Sequence, residues 1–102
     1  MPLGTQSLPR RSDRIFVRLP VTLLVDSDSE RIAQDAFTVD LSQLGVRVRT
    51  GLTLAPGQAV DVFPNRGLKY PIPSRVVWVA QHGAAQHGEA GLEFLRPLAG
   101  YA

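Results

Sequence analysis

The 102-residue chain has no cysteine, which excludes disulfides and thiolate metal sites. No apolar run approaches the roughly 20 residues needed to span a bilayer, so membrane insertion is not expected. Lysine is nearly missing: Lys69 stands alone beside ten arginines. Aromatic residues make up only 7%, and no segment carries the clustered Phe or Tyr of a base-stacking platform. Residues 1–9 lack the basic region and apolar core of a secretory signal, so a cytoplasmic location is the expectation. What remains, 44% hydrophobic and 20% charged residues, suits one globular domain and argues against a wholly disordered or collagen-like chain.

The net charge of +2 hides an asymmetry. Arg10, Arg11, Arg14 and Arg18 are opposed only by Asp13, so the first 18 residues carry +3 and the rest −1. Arginine presents a planar fork of donors that fits phosphates and guanine edges, whereas lysine is a hydrated point charge. A local arginine cluster therefore suggests an anionic ligand. The plain alternative is a solvated, mobile terminus.

Residues 1–9, with two Pro and a Gly, read as a flexible lead-in. From Ile15 the pattern becomes period two: Ile15, Val17, Leu19, Val21, Leu23 and Val25 alternate with their neighbours, a strand signal. Pro20 marks an edge or a bulge because it cannot donate to a ladder. Turn chemistry at 26–29 leads to a second strand at about 33–39, then Asp40-Leu41-Ser42-Gln43-Leu44-Gly45, then a third strand at 46–50 with Val46 and Val48 on one face. Further strands are expected at 59–63, about 72–80 and about 91–95, with Leu92 and Phe94 facing in. Trp78 alternates with Val76 and Ala80 and reads as core or barrel flank rather than a stacking surface. No segment has a helical stripe. Six short strands predict an all-β fold, with a barrel favoured because closure removes exposed edges.

Two pieces stand out together. One is the arm Arg10-Arg11-Ser12-Asp13-Arg14 before the first strand; the other is the Asp40–Gly45 turn. With the stretches RIFVRLPV, GVRVRT, RVVWV and GLEFL, they resemble the PilZ family, which binds the bacterial second messenger cyclic di-GMP. The family signature resembles RxxxR in the arm and (D/N)xSxxG in a strand turn, matched here by Arg10 with Arg14 and by Asp40, Ser42 and Gly45. Arg14 with Arg18 also satisfies the first motif, so two registers stand, with Arg14 common to both. The resemblance implies a six-stranded antiparallel barrel of the split-barrel type with a flexible N-terminal arm: lead-in 1–9, barrel 10–96, tail 97–102. Many relatives carry a further Arg just before the motif, where this chain has Pro9; Arg11 is the candidate substitute.

The residue types suit the ligand the resemblance implies. Each guanine offers O6 and N7 acceptors to an arginine fork, and guanidinium groups also clamp phosphates or stack on bases. The Asp40 carboxylate accepts from guanine N1–H and N2–H₂, and Ser42 can donate to a phosphate or bridge to a base edge. Gly45 permits a positive φ and close backbone approach. Arg18 and Arg47 are auxiliary candidates. Charge-assisted bonds of about 1.5–3 kcal/mol each can support submicromolar binding. Taken singly, Asp40 and Ser42 also read as an Asx or ST turn.

The function expected is a bacterial, non-enzymatic cyclic di-GMP receptor that orders its arginine arm and signals to an unidentified downstream protein. No protein-held cofactor is expected. His82, His87 and Glu89 lack a third-ligand spacing, and the metal reading gives way to a loop. The alternative function is a small basic barrel binding RNA or single-stranded DNA, which the scarcity of aromatics disfavours. An enzyme is not expected, for no triad or paired carboxylates stand at catalytic spacing.

Overall fold

The computed structural model describes residues 14–64, 70–80 and 88–97. Seven strands follow in order: β1 (Ile15–Phe16), β2 (Pro20–Ser27), β3 (Glu30–Leu41), β4 (Gly45–Arg49), β5 (Ala59–Pro64), β6 (Ile72–Val79) and β7 (Glu89–Phe94). The sheet order is β1-β3-β2-β5-β6-β7-β4, and a β3–β4 pairing closes it into a ring. All pairings are antiparallel.

β1 and β2 are two pieces of one barrel strand. β1 pairs Ile15 with Leu41 and Phe16 with Asp40, while β4 occupies the other edge of the same β3 residues. β2 then pairs from Pro20 opposite Phe37. Six strands thus close the barrel, as the alternation predicts. Residues 17–19 bridge the interruption, and Pro20 sits at the first position of β2, where a missing donor is tolerated. The buried Thr38 organises the break: its hydroxyl accepts from Leu19 N at 2.8 Å and donates to the Val17 carbonyl.

Inward positions are mostly β-branched, the type that packs well on a pleated surface. Val21, Leu23 and Val25 of β2 meet Val46 and Val48 of β4, Val60 and Val62 of β5, Val76 of β6, and Leu92 and Phe94 of β7 in one core. Each such burial contributes roughly 1.5–3 kcal/mol relative to exposure.

Several boundaries differ from the sequence expectation. β3 begins at Glu30 rather than 33, because the 26–29 turn closes tightly on the Ser27–Glu30 pair, with Asp28 at φ 55°. Glu30 and Arg31 are exposed and only Ile32 packs against the core, so no apolar alternation marked these added residues. Two register shifts also break strict alternation, one between Thr38 and Asp40 and one between Val76 and Trp78. Among the described residues no helix is long and apolar enough to cross a membrane. The expected lead-in at 1–9 and most of the tail at 97–102 lie outside the described residues.

Candidate functional site

Backbone register lays five residues across the outside of the barrel. Phe16 of β1 stands opposite Asp40 of β3, Asp40 opposite Arg47 of β4, Arg47 opposite Gly91 of β7, and Gly91 opposite Trp78 of β6. Directly opposed residues on one face lie about 4.5–5.5 Å apart at Cβ, so this row forms a continuous floor. A cleft of about 1000 Å³ opens over it. Arg14, Ser42 and Gly45 also line the cleft.

Arg14 precedes Phe16 by two residues and so shares its face. From there Nη1 reaches diagonally to Asp40 Oδ1 at 2.5 Å. The other carboxylate oxygen, Oδ2, accepts from Arg47 Nε at 2.9 Å and Nη2 at 2.6 Å. Asp40 is only 1% exposed although it lies on the outer face, because the two arginines cover it. Their side chains are 56% and 28% exposed, so Arg14 is the freer of the two. The ion-pair chain continues past Arg47 to Glu89 and Arg49.

Ser42 builds the turn. Its buried hydroxyl oxygen accepts from the amides of Leu44 and Gly45, both at 3.2 Å, and its own amide donates to the Gly45 carbonyl at 2.9 Å. Ser42 thus closes the turn. Gly45 is required by close approach: a Cβ there would collide with the Leu92 carbonyl of β7. Its φ is not positive, so the left-handed freedom expected of it is not used.

Trp78 departs from the alternation read in the sequence. The extra residue at Val77 turns both Val77 and Trp78 outward after the inward Val76. The indole then lies over Gly91, where a Cβ would run into the ring, and it lines the cleft instead of the core. The pairing of Trp78 with Gly91 depends on the bulge, which leaves no mark in the sequence.

Of the residues singled out in the sequence, the fold gathers Arg14, Asp40, Ser42, Gly45 and Arg47 around one cleft. It does not bring Arg18 there. Arg18 lies over the Phe37 ring at 4.4 Å and borders a separate groove of about 430 Å³, with Phe16 as a wall common to both. Arg10 and Arg11 lie outside the described residues, as do His82 and His87. Among the described residues no group of three potential ligands could hold a metal. Glu89 instead pairs with Arg49 at 2.5 Å.

No curated protein matches the chain. The model of the PilZ domain matches residues 9–100, which takes in both motifs and every strand of the barrel, and the chain therefore belongs to the PilZ domain family.

Proposed function

We propose that the chain is a non-enzymatic receptor for cyclic di-GMP that holds the dinucleotide in the cleft above Asp40. The observation carrying this reading is the Arg14–Asp40 contact: the arm and the β3–β4 turn meet across one opening. Asp40 supplies acceptors for guanine N1–H and N2–H₂, and Arg14 supplies a fork for phosphate or for guanine O6 and N7. Trp78 and Phe16, at the two ends of the row, add apolar faces on which bases can pack.

Binding is an exchange. Both oxygens of Asp40 already accept from arginine. A guanine edge must displace at least one of these donors, and the more exposed Arg14 leaves at the lower cost and turns to the ligand. The charged lining residues Arg14 and Arg47 are balanced by Asp40 and Glu93. A dianionic ligand therefore needs further positive charge, which the sequence supplies in Arg10 and Arg11. Four residues of extended chain reach at most about 14 Å, enough for Arg10 to close over a ligand held by Arg14. The RxxxR pair is accordingly Arg10 with Arg14, since Arg18 borders the other groove.

Ordering of the arm reaches a second surface through Phe16. This ring is 76% exposed and forms part of the groove containing Arg18 and Phe37. Movement of β1 on ligand binding would reshape that groove, which is the route by which a downstream protein reads the bound state.

Calorimetric titration with cyclic di-GMP beside GTP and cyclic di-AMP tests the reading. Saturable binding with a strong preference for cyclic di-GMP is expected. Equal response to all three, or binding only to random oligonucleotides with a steep salt slope, would overturn it.

A further inference from the structure

Glu89 opens β7 directly after Gly88, and is 5% exposed. Its Oε2 accepts from Arg49 Nη2 at 2.5 Å. Its Oε1 is buried and has no hydrogen-bond donor among the described residues. Buried carboxylate oxygens without a donor are rare and costly, so this one calls for an explanation. The cation facing it is Arg47, whose Nη1 stands 3.7 Å away, within ion-pair range and beyond hydrogen-bond range. Arg47 is held back because its Nε and Nη2 are both engaged by Asp40.

We propose that Glu89 is a positioning residue for the cleft, a reserve acceptor that takes Arg47 when a ligand claims Asp40. The inference rests on the reading of the cleft as a cyclic di-GMP site and adds to it a residue outside both sequence motifs. A guanine edge that presents N1–H and N2–H₂ to both oxygens of Asp40 displaces Arg47 as well as Arg14. Arg47 is half-buried, so releasing it with no second acceptor would leave a partly desolvated guanidinium without a partner. A guanidinium shift of about 1 Å brings Nη1 within hydrogen-bond range of Glu89 Oε1. The exchange then leaves no ion unpaired: Asp40 trades the donors of Arg47 for those of the base, and the bare oxygen of Glu89 gains one. Register makes this possible. Arg47 lies opposite Gly91, two residues along β7 from Glu89, so one guanidinium reaches a carboxylate on either side.

The test has a ligand-free arm and a ligand arm. Without ligand, Asp40→Asn weakens the hold on Arg47. A crystal structure of this variant should show Arg47 within about 3.2 Å of Glu89 Oε1. The Arg47 side-chain Nε–H signal in ¹⁵N NMR should move from its wild-type position, and adding Glu89→Gln should abolish that movement. With ligand, Glu89→Gln should weaken cyclic di-GMP binding about tenfold, and saturating ligand should shift the Arg47 signal in wild type only. Arg47 still on residue 40 with Oε1 bare, or a Glu89→Gln variant that binds like wild type, would overturn the proposal. Absence of cyclic di-GMP binding by the wild type would instead sink the functional reading, and the ligand-free arm would still decide the exchange. Should Glu89→Gln fail to fold, the Asp40→Asn structure decides it alone.

Discussion

Asp40 and Arg47 face each other directly across the β3–β4 ladder, joined through one carboxylate oxygen by two hydrogen bonds of 2.9 and 2.6 Å. The pair stands at the middle of the cleft floor, and Arg14 closes over it from β1 at 2.5 Å. Both carboxylate oxygens of Asp40 are thus covered by cations, Arg14 on one and Arg47 on the other.

Asp40→Asn keeps the shape and removes the charge. Charged hydrogen bonds contribute about 1.5–3 kcal/mol each; the amide nitrogen donates where a carboxylate oxygen accepted, so the arginine bonds to that atom are lost, those to the remaining oxygen are weaker, and the guanine acceptor pair is lost. The expected result is a stability loss of about 2 kcal/mol in urea denaturation and a loss of cyclic di-GMP affinity of at least tenfold in calorimetry.

Gly45→Ala tests packing rather than binding chemistry. The added methyl meets the backbone carbonyl of Leu92, which cannot rotate away as a side chain would. A loss of about 1–3 kcal/mol is expected from overpacking, and denaturant unfolding measures it. The same change at Gly51, which has open space around it, should cost far less.

Thr38→Val removes the hydroxyl that bridges Leu19 N and the Val17 carbonyl. The shape is kept and two backbone groups lose their partner. A cost of about 1–3 kcal/mol is expected. Because this hydroxyl pins the break between β1 and β2, hydrogen exchange at residues 15–19 should accelerate, and cyclic di-GMP affinity should fall without any change in the cleft residues.

Trp78 is the single tryptophan, and its indole borders the cleft. Its fluorescence should therefore change saturably on addition of cyclic di-GMP. Gly91→Ala places a methyl where the ring lies and pushes the indole toward solvent. The free variant should show red-shifted emission, and its ligand affinity should drop.

The barrel could be read from the sequence because its core depends on simple alternation: Val21, Leu23 and Val25, then Val46 and Val48, repeat at period two and are buried as that period requires. Arg14 and Asp40 could be singled out because their spacing and residue types resemble a family signature. Arg47 could be named only as an auxiliary, by its closeness in sequence to Ser42, and Arg49 looked like a solvated strand face; that Arg47 pairs with Asp40 and Arg49 with Glu89 depends on which strands are neighbours. Trp78 read as core or barrel flank, and it lies on the flank: a one-residue bulge reverses its facing, and no residue at 76–78 announces it. Ser42 matched the motif and also read as an ST turn, and its hydroxyl does close that turn.

The most direct test of the central claim is calorimetric titration of cyclic di-GMP into the wild type and into Arg14→Ala, with both melting curves recorded. Arg14 is the more exposed partner of Asp40, so the variant should melt close to the wild type. Saturable wild-type binding that weakens at least a hundredfold in the variant is the predicted result. Equal affinities in two equally folded proteins would contradict a cleft that closes on its ligand through this arginine.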